Sequence, residues 1–258
     1  MSRIADQFAR CRREGRKAFV AFVTAGDPSL ERTITAACDL EAAGVDVLEL
    51  GVPFSDPLAD GPVIQRASDR ALRQGTTLAR VLDAVRALRR SSRLPLLLFT
   101  YFNPVARYGL ERLARDAREA GVDGVLVTDL PPEEADDWLR AARPCGLDTV
   151  FLASPTSPPE RLRRVAEASR GFVYALSRTG VTGEQQSLSE DARPLVERLR
   201  ALTDEPVALG FGISTPEQAA AAAAVADGVV VGSALVRFLE TDPQGDLGEK
   251  VRWLRSAM

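Results

Sequence analysis

Eight short, apolar, β-rich runs alternate with longer amphipathic stretches along this chain, and that alternation predicts an α/β protein, a (β/α)8 TIM barrel forming a single domain over 1–258. Two further observations support it. A length of 258 residues suits one barrel, and no linker, charge block or low-complexity tract divides the chain. The absence of Gly-x-Gly-x-x-Gly after the first strand argues against an open dinucleotide-binding sheet.

Taken in order, the predicted strands are Ala18–Val23, Val45–Leu50, Leu94–Thr100, Gly124–Thr128, Asp148–Leu152, Phe172–Ala175, Val207–Leu209 and Gly228–Val231. Their nearly continuous apolar character is that of a parallel sheet covered on both faces. Between them lie predicted helices over Leu30–Ala43, Leu78–Arg90, Leu110–Glu119, Pro132–Ala142, Glu160–Ala168, Pro194–Leu202 and Pro216–Ala224, with a terminal helix around Lys250. Pro158-Pro-Glu160 and Ser214-Thr-Pro-Glu217 are helix starts, because proline presets φ and a carboxylate favours the first turn.

Composition removes several chemistries. The chain has no histidine, so a Ser-His-Asp triad, a Cys-His pair and a histidine-bound catalytic metal are all absent. Cys11, Cys38 and Cys145 are scattered and form neither a disulfide framework nor a zinc site, and no metal is expected. The only lysines, Lys17 and Lys250, fall where neither can form an imine at a barrel mouth. A formal charge of −3 offers no nucleic-acid footprint, and the longest apolar runs are too short to cross a membrane. Without an apolar signal core near Met1, the expected location is cytoplasmic. What remains is chemistry by carboxylates, hydroxyls and backbone amides.

Such carboxylates stand in Leu48-Glu-Leu-Gly-Val-Pro-Phe-Ser-Asp-Pro-Leu-Ala-Asp60. Strand side chains alternate, so Leu48 and Leu50 belong against the helices and Glu49 points into the barrel at its C-terminal rim, where sites of this fold are built. Desolvation there is expected to raise the Glu49 pKa. Asp60 follows in a Pro- and Gly-rich loop. The competing readings are a glutamate that merely ends a strand and an aspartate that shapes a turn before Gly61. Asp56 is the internal competitor, able to cap, stiffen the loop or bind a partner.

Three glycine-bearing segments follow the last three strands: Ser177–Gly183, Gly210–Ser214 and Val231–Ala234. Loops at these places in a barrel commonly hold phosphate through backbone N–H groups. Gly212, Gly232 and Ser233 are the expected phosphate ligands, with Gly183 closing from the loop after the sixth strand.

Together these segments make the chain resemble the tryptophan synthase α family from Ala18 to Leu235. The resemblance is carried by Phe19–Pro28, the long segment around Glu49 and Asp60, Tyr101-Phe-Asn-Pro104, Asp129-Leu-Pro-Pro-Glu-Glu134, Ala153-Ser-Pro-Thr156, Leu176–Gly183, Gly210–Ser214 and Val231–Leu235. Ala21, Phe102 and Ser154 are less usual choices, and the tail after Phe238 carries no recognisable motif.

The resemblance implies a lyase of tryptophan biosynthesis that cleaves indole-3-glycerol phosphate, by retro-aldol chemistry, to indole and glyceraldehyde 3-phosphate. It implies Glu49 as the acid/base at the indole C3 and the glycerol hydroxyl, and Asp60 as acceptor of the indole N–H. Phe22, Tyr101, Tyr174 and Phe211 match positions around the ring. Thr182 and Gly183 match a loop that closes over substrate, and Thr182 helps hold Asp60. The implied partner is a β subunit in an α2β2 complex, which carries pyridoxal phosphate and consumes the indole; no cofactor is expected on this chain. Asp56, Pro57, Asn103 and Asp129 match the rim facing that subunit. The competing readings are a free-standing lyase that releases indole and a non-catalytic phosphate-ligand barrel. Retention of both carboxylates disfavours the barrel, since phosphate binding needs neither. A sugar-phosphate isomerase would lack its usual histidine and lysine.

Overall fold

In the computed structural model, residues 2–177, 191–210 and 212–258 are described. Nine parallel strand segments form one sheet: β1 (Ala18–Thr24), β2 (Val47–Gly51), β3 (Leu96–Thr100), β4 (Gly124–Val127), β5 (Asp148–Val150), β6 (Leu152–Ala153), β7 (Val173–Leu176), β8 (Val207–Gly210) and β9 (Gly228–Val231). Along the sheet the order is β5-β4-β3-β2-β1-β9-β8-β7-β6. Since β5 pairs with β4 and β6 pairs with β7, and only Phe151 separates β5 from β6, the two halves of one stave close the ring. The nine segments are therefore the eight predicted strands, the fifth interrupted once.

Side-chain alternation then sorts the core into two layers. Val20, Val47, Leu97, Leu126, Val150, Tyr174, Ala208 and Val230 fill the barrel interior. Their neighbours Phe19, Ala21, Leu48, Leu50, Leu96 and Leu98 face outward and pack under the helices. Register across the sheet places Glu49 opposite Phe22 on one side and Leu97 on the other.

Twelve helices cover the described residues: α1 (Arg3–Arg13), α2 (Leu30–Ala42), α3 (Pro62–Arg73), α4 (Leu78–Leu88), α5 (Phe102–Tyr108), α6 (Leu110–Ala120), α7 (Asp136–Ala142), α8 (Pro159–Ala168), α9 (Ala192–Arg200), α10 (Pro216–Ala223), α11 (Ser233–Thr241) and α12 (Leu247–Arg255). Four of them, α1, α3, α5 and α11, are absent from the sequence-based assignment. The predicted helix over Pro132–Ala142 is instead a 3-10 turn at Pro132–Glu134 followed by α7. Predicted strand starts at Val45 and Leu94 move to Val47 and Leu96; Pro95 has no N–H to give a ladder.

The barrel floor is closed by α1. Ser2 caps it by accepting from Ala5 N–H at 3.2 Å, and Ile4, Phe8 and Cys11 bury themselves among Ala18 and Phe172. Asp46 ties this plug down: its carboxylate takes a two-pronged ion pair from Arg16 and accepts from Phe19 N–H and the Gln7 amide. The opposite end of the barrel remains open to a cavity.

Candidate active site

Glu49 follows Val47 on the inward face of β2, and it is wholly buried at the cavity floor. Neither carboxyl oxygen has a hydrogen-bond partner among the described residues. Leaving a carboxylate unsolvated and unpaired is costly, and the site avoids that cost by keeping the proton. Burial alone pushes the Glu49 pKa up to about 8.

Asp60 approaches from above. The loop 52–61 leaves β2, and its turn is fixed where Asp60 N–H donates to Pro57 C=O at 3.0 Å and the Gln65 amide donates to Asp60 C=O at 2.8 Å. Pro62 at the first position of α3 presets helical φ, so the carboxyl stands just ahead of a helix start. Its Oδ2 accepts from the Tyr101 hydroxyl at 2.9 Å, while Oδ1 has no partner among the described residues. Burial raises the Asp60 pKa and the Tyr101 hydrogen bond lowers it, leaving it at about 6.

The two carboxyls thus differ in protonation at neutral pH: Glu49 holds its proton and Asp60 is largely ionised. Divergent pKa values in one cavity are the mark of an acid and an anionic acceptor working side by side. The phenol of Tyr174 also lines the cavity and is pushed well up by burial and by both carboxyls.

The cavity opens to solvent. One wall is aromatic and apolar: Phe22 stands edge-on to Phe99 at 5.3 Å and 78°, with Ile64 and Val230 beside them. The rest of the lining includes glycine-bounded backbone at Gly212-Ile213 and Gly232-Ser233. Gly212 adopts φ +81°, which an L side chain resists. Ser233 begins α11; Leu235 N–H is given to Gly232 C=O at 2.8 Å, and the N–H groups ahead of it at this helix start are placed to cradle an anion. Gly51 serves the aromatic wall: a Cβ there would stand 2.5 Å from the Phe22 ring.

Of the sequence-predicted residues, Glu49, Asp60, Phe22, Tyr174, Gly212, Gly232 and Ser233 meet around this one cavity. Tyr101 does not line it; its ring stacks at 5.2 Å on Phe54 and its hydroxyl holds Asp60 while accepting from Ala59 N–H. Thr182, Gly183 and Phe211 lie outside the described residues, as does the loop containing the first two. Asp56, Asn103 and Asp129 are exposed and Pro57 partly so; Asn103 stands in the first turn of α5 and the others on the loops after β2 and β4. Asp129 has in addition a local task, accepting from Phe102 N–H at 2.6 Å where α5 begins.

Ile64, Phe99, Ile213 and Val230 were missed. Phe99 shares the inward face of β3 with Leu97 and Val230 that of β9, so strand alternation was signal enough for both. Ile64 sits on α3, whose only strong sequence signal is Gly61-Pro62.

Comparisons with known proteins agree with this architecture. Residues 8–255 match the family described as tryptophan synthase alpha chain. A relative from Solibacter usitatus bearing that name is 54% identical over 244 residues, covering 95% of this chain and 91% of its own. One from Citrifermentans bemidjiense is 51% identical over 258 residues, covering 100% and 97%. Among solved structures, Mycobacterium tuberculosis tryptophan synthase aligns with a TM-score of 0.93 at 42% identity, covering 100% of this chain and 98% of that one. The alpha subunit from Legionella pneumophila gives 0.90 at 36% identity, covering 100% and 98%. A matching profile over nearly the whole length, relatives at half identity and the shared barrel converge: this chain belongs to the tryptophan synthase alpha chain family.

Proposed function

We propose that the chain cleaves indole-3-glycerol phosphate to indole and glyceraldehyde 3-phosphate and delivers the indole to a tryptophan synthase β subunit. The observation that carries the reading is the pair of buried carboxyls, one protonated and one ionised, with unpartnered oxygens at a cavity also lined by Gly212, Gly232 and the start of α11.

The chemistry balances with these groups alone. Protonated Glu49 gives its proton to the indole C3, and the ring nitrogen takes up positive charge. Asp60 accepts from the ring N–H and stabilises that charge as it develops. The Glu49 carboxylate then takes the proton of the glycerol hydroxyl beside the bond to be broken. As the C–C bond cleaves, its electron pair returns to the ring, the hydroxyl carbon becomes the aldehyde, and Glu49 is again protonated. Phe22 and Phe99 flank the ring, while Gly212, Gly232 and the first turn of α11 hold the phosphate. The phosphate then fixes the distance between the far end of the substrate and the carboxyls, which is positioning paid in binding energy.

The same reading assigns the rim to the partner. Asp56, Pro57, Asn103 and Asp129 follow the C-terminal ends of β2, β3 and β4, and Leu58 beside Pro57 is 84% exposed, an apolar side chain suited to burial against another subunit. The pyridoxal phosphate of the overall pathway belongs to that partner.

The test is indole release from indole-3-glycerol phosphate by the purified chain, alone and with a β subunit. Slow release alone and a large increase with the partner is expected. Fast release alone would make it a free-standing lyase, and bound substrate without indole in either condition would make it a phosphate-ligand barrel.

A further inference from the structure

Outside the cavity, one set of charged side chains ties together three segments that each carry part of the site. Arg70, on α3, grips Asp27 with two parallel hydrogen bonds, Nε to Oδ1 at 2.8 Å and Nη2 to Oδ2 at 2.7 Å. Its remaining nitrogen Nη1 donates to Glu240 Oε1, on α11, at 2.7 Å. Arg66, one turn before Arg70, forks onto the same Glu240 carboxylate with both bonds at 2.8 Å. Asp27 is 5% exposed and lies in the loop after β1, the strand that carries Phe22. α3, α11 and β1 also pack against one another.

The placement of this clasp along the two helices is what gives it a functional reading. α3 starts two residues after Asp60, and Arg70 stands eight residues in, about 12 Å along the axis. α11 starts at Ser233, and Glu240 stands seven residues in, about 10 Å along. The clasp therefore pins the two helices at nearly the same depth behind their active ends. A rigid helix transmits that register to its first turn, so the clasp sets how far the Asp60 carboxyl stands from the anion cradle. Forked arginine–carboxylate pairs fix both distance and angle, which a single lysine contact does not.

We propose that Arg70 and Glu240 are positioning residues that set the separation between Asp60 and the phosphate-holding start of α11, so that a substrate held by its phosphate presents its ring N–H to Asp60. This rests on the cleavage reading above. The clasp touches neither substrate nor reacting atoms and acts only through the two helices.

The test compares the wild-type chain, with its β subunit, against Glu240→Gln, Arg70→Lys and the milder Arg66→Gln, which keeps the Asp27 branch intact and guards against loss of folding. Each is measured for kcat and KM on indole-3-glycerol phosphate, for affinity toward glycerol 3-phosphate as a probe of the cradle alone, and for Tm. The expected result is a fall in kcat of about tenfold for Glu240→Gln and Arg70→Lys, with glycerol 3-phosphate affinity within about twofold of wild type. A purely stabilising clasp would lower Tm and leave kcat of the folded enzyme alone. The decisive measurement is the double variant with Asp60→Asn in single-turnover conditions: if the clasp acts through Asp60, Glu240→Gln costs nothing further there. Unchanged kcat in all three variants, or an equal loss with and without Asp60, overturns the inference while leaving the cleavage reading standing. An inactive wild type would remove the cleavage reading itself.

Discussion

Glu49 and Asp60 are both acids raised by burial, but Glu49 is fully buried without a partner among the described residues, whereas Asp60 is less completely buried and accepts from a hydroxyl. Burial takes the Glu49 pKa to about 8, and burial offset by the Tyr101 hydrogen bond takes that of Asp60 to about 6. With Asp60 required ionised and Glu49 required protonated, kcat/KM rises through about pH 6 and falls through about pH 8. Tyr101→Phe removes the bond that stabilises the Asp60 anion, so its acid limb moves to higher pH while the basic limb stays; a pH–rate profile of each protein checks this. Glu49→Gln keeps the shape and loses the proton transfer, so turnover is abolished while substrate still binds in an equilibrium titration. Asp60→Asn, which keeps a Tyr101 partner, lowers the rate by orders of magnitude and leaves the thermal midpoint within a few degrees.

Among the elements, α1 and α3 matter most to the site and were hardest to anticipate. α1 presents Ile4, Phe8 and Cys11 at i, i+4, i+7 spacing behind a Ser2 cap, a local helix signal, but nothing local says that this face seals a barrel floor. Phe8→Ala leaves a hole between α1 and Phe172 and costs about 3–5 kcal/mol in denaturant unfolding, with the cavity chemistry little changed below the transition. α3 hides behind a Pro- and Gly-rich stretch that reads as loop, yet its first turn carries Ile64 into the cavity and its later turns carry Arg66 and Arg70. Element boundaries shifted where proline intervened, as at Pro95, whereas the existence of the strands followed directly from apolar runs.

For the whole molecule, keeping Glu49 protonated has a stability consequence with a definite sign. The unfolded carboxyl releases its proton near pH 4.5, the folded one only near pH 8. Between those values the native state binds the extra proton, so rising pH favours unfolding, and above pH 8 the penalty is constant. Glu49→Gln removes that penalty. Its Tm should match wild type near pH 4.5 and exceed it by roughly 5 °C or more at pH 9 by calorimetry. A buried acid kept at the expense of stability is what a site selected for proton transfer, rather than for packing, would show.

The sequence by itself determined the strand order, the inward direction of Glu49, the glycine-bounded turns after the last strands and the family. Each of these rests on short-range physics: a two-residue side-chain period, the conformational limits of glycine and proline, and motifs contiguous in the chain. Only the tertiary structure decided which groups meet. Tyr101 reaches Asp60 across 41 positions because β2 and β3 are neighbours, and Arg70 reaches Glu240 across 170 because β9 pairs with β1, the last strand beside the first. The protonation of Glu49 was foreseeable in direction from its place on the strand. Its extent depends on full burial at a cavity floor where no described residue gives a donor to either oxygen, and that is a property of packing no local run of residues encodes.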